Sequence, residues 1–211
     1  MISLRGKPLI FYTLDSLKNS SFYNDSTIIC SSDDQIILDY ADTCLDNLIL
    51  HKRSPSLSKD TSSLHELIIS LSIEYNFSQP YDICILQPTS PLRTAEDIDA
   101  AFTIYSRNQS KSLVSVSNVN HTAIPEKILV LNKHSDKLEF FDKKSMIKRR
   151  QDYTTSYFCR NSAIYIVNSS KIHEGLIFDN SDYYEMPNIR SIDVDTIEDL
   201  EMAKILLASK V

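Results

Sequence analysis

The stretch DICILQPTSPLRTAEDIDAAFTIYSR, residues 82–107, contains an apolar run, a turn with two prolines and a periodic segment, in that order. Residues 82–87 predict a short buried strand. Residues 94–107 carry apolar side chains at helical spacing, and Thr94 with Asp97 fits a capping box in which Asp replaces the usual Glu. A strand that leads into a helix in this way is the repeating unit of an α/β sheet with parallel strands.

The same alternation extends to both sides of this stretch. Helices are predicted over residues 8–20, 33–44, 62–76 and 196–210. Strands are predicted over residues 26–32, 47–51, 112–117, 127–132, 138–141, 162–167 and 190–195. Strands that alternate with helices imply parallel strands joined by crossovers, so we expect a three-layer α/β fold with a mostly parallel sheet, formed by residues 1–211 as a single domain.

One segment interrupts the alternation. The strands predicted over 127–132 and 138–141 follow each other without a helix, which predicts a hairpin. We expect residues 118–160 to form an arm inserted between two strands of the sheet. Such an arm is a candidate dimerisation element, and a homodimer is therefore expected.

Composition and charge exclude several classes of protein. The formal net charge of -6 argues against a general nucleic-acid-binding protein, although the basic run at 143–150, read first as a solvated face, could meet a phosphate or carboxylate. No stretch approaches the roughly 18 consecutive apolar residues that cross a bilayer, and the first residues do not resemble a signal peptide. The four cysteines form no C-x-x-C pair, so we expect a soluble protein of a reducing cytoplasm.

The turn after the strand at 82–87 is a candidate binding site. Ligands of parallel sheets bind beyond the carboxyl ends of the strands, a rule that brings residues 31–34, 87–93 and 193–195 into one neighbourhood. The two prolines stiffen the turn, so that Gln87, Thr89, Ser90 and Arg93 are presented in fixed geometry. Arg93 could pair with a carboxylate or phosphate. The alternative is a purely structural turn in which Ser90 or Thr94 caps the next helix.

Asp193 and Asp195 are candidate metal ligands. They are two residues apart in a predicted strand, so both carboxylates would project from one face, about 6.6 Å apart along the strand. Two carboxylates in this arrangement can share a magnesium ion, Mg2+, with substrate phosphates. The alternative is a strand end whose aspartates cap the next helix or face water.

Two further groups could contact a ligand. Arg149, Arg150, Gln151 and Asn161 form a possible cradle for an anionic, polyhydroxylated molecule, unless they belong to a solvated charge run. Arg53, Asp60, Ser62 and Ser63 lie at another strand-to-helix turn, where a helix N-terminus favours polar or anionic groups. For this second group a helix cap is the favoured interpretation.

A series of motifs resembles those of the acylneuraminate cytidylyltransferases, also called CMP-sialic acid synthetases. The motifs, in chain order, are GKPLI (6–10), SSDDQII (31–37), DTSS (60–63), LQPTSPLR (86–93), RRQD (149–152) with NSAIYI (161–166), and YEMPNIRSIDVDTIEDLEMAKILL (184–207). The resemblance implies a Rossmann-like nucleotide-diphospho-sugar transferase fold and a dimer formed through the arm. It also implies an enzyme that uses CTP and magnesium to activate a nine-carbon keto-sugar acid, giving a CMP-sugar and pyrophosphate for a surface carbohydrate.

The resemblance also implies roles for individual residues. It implies that the sugar and nucleotide pocket is lined by Gln87, Thr89 and Ser90. It also implies that a metal ion is bound by Asp193 and Asp195. The sugar acid or the partner subunit would be contacted by Arg149, Gln151 and Asn161. The cytidine would lie near Arg53 and Ser63. The related Kdo cytidylyltransferases have an aspartate where this chain has Thr89, which favours the nine-carbon branch.

The sequence departs from the family pattern in two places. The family begins with a strand and a loop of the form Ala-Arg-x-Gly-Ser-Lys, which would precede the segment at Met1, and the chain has only two glycines. We therefore expect the first strand and the triphosphate-binding loop to be missing, a loss that could impair catalysis. The family also reads Asn-Gly-Ala where this chain has Ser162. A non-catalytic sugar-acid-binding protein or dimer partner, and a gene fragment, are the alternatives to an active enzyme.

Overall fold

A computed structural model describes residues 1–59, 61–77, 80–142 and 155–209 of the chain. The helices are α1 (Leu9–Lys18), α2 (Gln35–Asp42), α3 (Leu64–Tyr75), α4 (Ala95–Asn108) and α5 (Ile197–Ala208). The strands are β1 (Ser3–Leu4), β2 (Lys7–Pro8), β3 (Ile28–Ser32), β4 (Leu48–Lys52), β5 (Asp82–Ile85), β6 (Ser112–Asn118), β7 (Leu129–Asn132), β8 (Lys137–Phe140), β9 (Phe158–Asn168) and β10 (Asp182–Glu185). Each of the predicted helices is present, and none of the helices in these ranges has the length and apolarity that a membrane crossing requires.

The largest sheet has four strands in the order β10–β6–β9–β5. β10 runs parallel to β6, and β9 runs antiparallel to both β6 and β5, so three of the four strands share one direction. β3 and β4 form a separate parallel pair, and β1 and β2 form a short antiparallel ribbon. The predicted, mostly parallel α/β sheet is confirmed. β9 is antiparallel because the segment between it and β6 contains a hairpin in place of a crossover helix.

The four-stranded sheet is covered by helices on both faces. Helix α4 packs on one face, where Ile98 and Ala101 belong to the same core cluster as Leu113. Helix α3 packs on the other face, where Ile68 clusters with Val114. Leu113 and Val114 are consecutive residues of β6, and consecutive side chains in a strand point to opposite faces. The three-layer arrangement is therefore confirmed.

Part of the strand prediction is wrong. Residues 190–195 form no strand, since a 3₁₀ turn covers Asn188–Arg190 and the following residues to 195 have no regular structure. β10 was not predicted, because Asp182–Glu185 has little apolar character and only Tyr184 packs against the core, whereas Tyr183 is exposed. An edge strand that pairs only with β6 needs no apolar face on its solvent side.

The predicted hairpin is present between β6 and β9. β7 and β8 pair antiparallel, with Leu131 opposite Leu138 and Leu129 opposite Phe140. Paired residues share a face of the ribbon, and these four side chains are all exposed. The basic run at 143–150, and with it Arg149, lies outside the described residues, as does Gln151.

β9 carries a wide bulge opposite β6. Val114 pairs with Tyr165 and Val116 pairs with Arg160. The two paired positions are two residues apart on β6 but five residues apart on β9, so β9 contains extra residues at this point. Within the bulge, Ser162 has a φ of 61°, in the left-handed region. A side chain with a β-carbon pays roughly 1–2 kcal/mol in this conformation, which glycine avoids. This conformation accounts for the glycine that the family pattern places here.

We expect Ser162→Gly to raise the thermal unfolding midpoint by about 2 °C. Glycine relieves the left-handed strain, and this gain exceeds the roughly 0.5–1 kcal/mol of chain entropy that glycine adds to the unfolded state. The measurement is thermal unfolding followed by circular dichroism. The control is Ser162→Ala, which keeps the β-carbon and should show no rise. A midpoint for the glycine variant that is no higher than that of the alanine variant would contradict the assignment of strain.

Candidate active site

The segment after β5 folds as two consecutive turns, here called the corner (residues 87–93). The amide of Ser90 donates to the carbonyl of Gln87 at 3.4 Å, and the amide of Arg93 donates to the carbonyl of Ser90 at 3.3 Å. Pro88 and Pro91 each take the second position of a turn, where the fixed φ of proline matches the required conformation. The corner predicted from the sequence is thus built as a rigid pair of turns.

The side chain of Arg93 connects the corner to two other parts of the fold. Its Nη1 donates to the carbonyls of Gln87 at 3.1 Å and Ala163 at 2.7 Å, and its Nη2 donates to Thr13 Oγ1 at 2.7 Å. Arg93 is only 3% exposed, and burial lowers its pKa to about 10, so the guanidinium remains charged at neutral pH. The sequence suggested a carboxylate or phosphate partner. The structure instead shows neutral oxygens of the corner, β9 and α1.

Ser90 and Asn161 are buried and form hydrogen bonds within the protein. Ser90 Oγ donates to the carbonyl of Asn161 at 3.5 Å. Asn161 Oδ1 accepts from Ser115 Oγ at 2.6 Å, and Asn161 Nδ2 donates to Ser191 Oγ at 3.0 Å. The last bond links the bulge of β9 to the segment that contains Asp193. Ser90 and Asn161 therefore hold the segments around the site together through hydrogen bonds within the protein.

The acidic segment, residues 191–195, lies against the corner. The amide of Val194 donates to the carbonyl of Thr89 at 2.8 Å. The side chain of Val194 is buried in a cluster with Leu4 of β1. Asp193 and Asp195 therefore flank the residue that is bonded to Thr89. The sequence predicted that residues 87–93 and 193–195 would meet, and this is confirmed.

The two aspartates do not share the face of a strand, as the sequence had suggested. The amide of Asp195 donates to the carbonyl of Asp193 at 3.2 Å, which makes a tight turn. Nor do they cap α5, because its cap is Thr196, whose hydroxyl accepts from the amide of Asp199 at 3.2 Å. The capping alternative for Asp193 and Asp195 is therefore wrong.

The donor set at the acidic segment fits a divalent cation. Oδ1 of Asp193 is buried and has no hydrogen-bond partner among the described residues. A buried carboxylate oxygen without a donor is costly unless another charge compensates it. Asp195 is exposed, and magnesium commonly takes one or two protein carboxylates together with phosphate oxygens. No group of three or more potential metal-binding side chains meets at one point in the described part of the chain.

Arg53 and Ser63 lie beyond β4 and make contacts within the protein. Arg53 Nη2 donates to the carbonyl of Ser31 at 2.8 Å, and Ser31 Oγ lies 2.8 Å from His51 Nδ1. Arg53 is thus tied to the end of β3. Ser63 Oγ accepts from the amide of Glu66 at 3.1 Å, and the carboxylate of Glu66 accepts from the amide of Ser63 at 2.9 Å. The helix-cap interpretation favoured for Ser63 is confirmed.

The sequence reasoning missed an ion pair beside the corner. Asp97, 0% exposed, accepts from Arg190 Nη2 at 2.5 Å and Nε at 3.2 Å, and from the hydroxyl of Tyr184 at 2.8 Å. Burial acts to raise the pKa of Asp97, but the hydrogen bonds from Arg190, Thr94 and Tyr184 outweigh it, so the pKa lies below its usual value. The predicted capping box with Thr94 is present, and it was the only local signal for Asp97. Arg190 is 93 residues away in sequence, so no local pattern could show the pair.

Comparison with known proteins decides the family. A sequence model described as cytidylyltransferase matches residues 1–210. The chain belongs to the cytidylyltransferase family. A pseudaminic acid cytidylyltransferase of Campylobacter jejuni is 30% identical to it, over 98% of this chain and 88% of that protein. The resemblance carried by the corner and the acidic segment is therefore confirmed.

Other members of the cytidylyltransferase family are similar over most of this chain. An N-acylneuraminate cytidylyltransferase of Streptococcus agalactiae is 33% identical, over 94% of this chain and 47% of that protein. A CMP-N,N'-diacetyllegionaminic acid synthase of Legionella pneumophila is 27% identical, over 97% and 87%. The fold is similar to a solved CMP:2-keto-3-deoxy-manno-octonic acid synthetase complexed with CTP, with a TM-score of 0.68 at 14% identity over 100% of this chain and 91% of that one. At that identity the likeness shows the fold alone.

We expect Thr13→Val to lower the free energy of unfolding by roughly 1.5–3 kcal/mol. Valine keeps the shape of threonine but removes the oxygen that accepts from Arg93, so a buried charged donor loses its partner. The measurement is urea-induced unfolding. The control is Thr13→Ser, which keeps the hydroxyl. Equal free energies of unfolding for the two variants would show that the Arg93 contact does not stabilise the fold.

Proposed function

We propose that this protein is a cytidylyltransferase that uses CTP to activate a nine-carbon keto-sugar acid, giving a CMP-sugar and pyrophosphate. The observation that carries the proposal is the bond between Val194 and Thr89, which places the acidic segment against the corner in a member of this family. The relatives named for pseudaminic, N-acylneuraminic and diacetyllegionaminic acids support this class of acid.

In the proposed reaction, the anomeric hydroxyl oxygen of the acid attacks the α-phosphorus of CTP. A new P–O bond forms, the bond to the bridging oxygen breaks, pyrophosphate leaves, and the hydroxyl proton passes to solvent. A magnesium ion held by Asp193 and Asp195 would neutralise charge on the phosphates. Gln87 and Thr89 would orient the two substrates from the corner, which two prolines stiffen, so that the reacting atoms of the substrates stay close.

The other residues implied by family resemblance keep supporting roles in this proposal. Arg53, fixed to the end of β3, would lie near the cytidine. Arg149 and Gln151 would meet the acid or the partner subunit. Ser63, Ser90 and Asn161 are engaged within the protein, so they would shape the pocket through the helix cap and the bulge.

We expect pyrophosphate release from CTP to require both magnesium and a nine-carbon acid, and to fall by about 10²- to 10³-fold in Asp193→Asn and in Asp195→Asn. Each change removes a negative charge that would bind the cation beside the phosphates. The measurement is a coupled pyrophosphate assay with a panel of sialic, pseudaminic and legionaminic acids.

The matched control for this assay is Glu198→Gln, which removes an exposed carboxylate from the first turn of α5 and should leave the rate unchanged. Release that does not depend on the acid would contradict the proposal. Binding of the acid by the folded chain without release would support the non-catalytic alternative, a sugar-acid-binding protein or dimer partner.

We also propose that the chain forms a homodimer through the β7–β8 hairpin. One face of this ribbon carries Leu129, Leu131, Leu138 and Phe140, which are 47%, 55%, 64% and 46% exposed. Apolar side chains grouped on one face of a projecting ribbon are typical of a protein interface. The other face carries Val130 opposite Glu139.

We expect Leu131→Glu to weaken dimerisation by at least about tenfold, because it places a charge in the middle of the apolar face. The measurement is sedimentation velocity over a range of protein concentrations. The matched control is Val130→Glu, which adds the same charge to the opposite face of the same ribbon. A similar effect of both variants, or a monomeric parent protein, would refute the proposed interface.

A further inference from the structure

Three hydrogen-bonded contacts, here called anchors, connect the acidic segment to the rest of the fold. Directly before the segment, Arg190 binds Asp97 in the first turn of α4. Next, Ser191 accepts a hydrogen bond from β9, and finally Val194 donates one to the corner. Between the turn at Asn188–Arg190 and α5 there is no helix or strand, so the path of the backbone depends on these anchors together with the packing of Ile192 and Val194 against the cluster that contains Leu4.

The Arg190–Asp97 pair is the strongest of the three anchors. It consists of two charge-assisted hydrogen bonds to both oxygens of one carboxylate, whereas the other two are single neutral bonds. The Asp97 side chain is 0% exposed and that of Arg190 is 25% exposed, so water screens the pair weakly. The planar guanidinium also fixes the direction from which the chain approaches Asp97.

The position of Asp97 connects this anchor to the corner. Asp97 lies in the first turn of α4, where its Oδ2 accepts from the amide of Thr94 at 2.9 Å. Thr94 directly follows Arg93, the last residue of the corner. The same carboxylate therefore binds the residue that follows the corner and the residue that precedes the acidic segment. A shift at Asp97 would change the distance between the two halves of the candidate active site.

We propose that Asp97 and Arg190 are positioning residues, whose ion pair holds the acidic segment against the corner so that the Asp193 carboxylate can bind a divalent cation. This inference rests on the proposed function, in which Asp193 and Asp195 hold the cation beside the phosphates of CTP. Neither Asp97 nor Arg190 touches the substrates in this proposal. They act through the backbone between Arg190 and Asp195.

The first test measures the position of the segment without any ligand. Arg190→Lys keeps the positive charge but cannot form both hydrogen bonds to the Asp97 carboxylate. Asp97→Asn removes the negative charge of the ion pair. The control is Tyr184→Phe, which removes one hydrogen bond to Asp97 and leaves Arg190 in place. By hydrogen exchange and mass spectrometry, amides of residues 191–195 should exchange at least about tenfold faster in the first two variants and at the parent rate in the control.

The second test measures cation binding directly, by titration of the full chain with Mn²⁺ followed by electron paramagnetic resonance. We expect the Kd for Mn²⁺ to rise about tenfold in Arg190→Lys, to rise further in Arg190→Gln, and to stay unchanged in Tyr184→Phe. A purely structural role would instead make the Kd follow thermal stability in all the variants, including the control.

The outcomes separate the two proposals. The positioning role would be overturned if the amides of residues 191–195 exchanged at the rate of the parent protein in both Arg190→Lys and Asp97→Asn. An unchanged Kd in the Arg190 variants, together with a weakened Kd in Asp193→Asn, would overturn it while leaving the proposed cation site intact. An unchanged Kd in Asp193→Asn would overturn the cation site of the proposed function and this inference with it.

Discussion

The buried guanidinium of Arg93 is the constraint on which the rest of the site depends. A charged group that is 3% exposed is costly without hydrogen-bond partners, and Nη1 and Nη2 of Arg93 find acceptors on the corner, on Ala163 of β9 and on Thr13 of α1. The buried Nε of Arg93 has no partner among the described residues. Because all these acceptors are oxygens held in fixed places, the guanidinium can keep its bonds only in one arrangement of the three segments. The prolines at 88 and 91 stiffen the corner itself, and Arg93 fixes where that stiff unit lies.

The bulge of β9 belongs to the same arrangement. It brings the carbonyl of Ala163 to Arg93 and the side chain of Asn161 to Ser191, so one irregular stretch of strand contacts both the corner and the acidic segment. The left-handed backbone of Ser162 is a cost of that shape. Strain at such a position persists only where the surrounding contacts determine the conformation, and here Ser115 supplies them through bonds to Asn161 and the amide at 164.

Local sequence patterns predicted much of the fold because their causes are local. The helices follow from apolar spacing and from caps such as Thr94 with Asp97, and the hairpin follows from two strands without a helix between them. The site was predicted less completely. The meeting of the corner with Asp193 and Asp195 followed from the rule on strand ends, but the strand expected at 190–195 is absent, since the Val194 amide pairs with a turn carbonyl in place of a ladder.

The sequence by itself determined the order of elements, the stiff corner, the acidic pair and the family to which these motifs belong. Only the tertiary structure decided which polar residues face inward. Arg93 and Asn161 carry side chains typical of ligand contacts, yet both are buried and form hydrogen bonds with protein atoms. The pairing of Asp97 with Arg190 was likewise decided by the fold. Such partners lie tens of residues apart, and local periodicity carries no information about which distant groups packing will bring together.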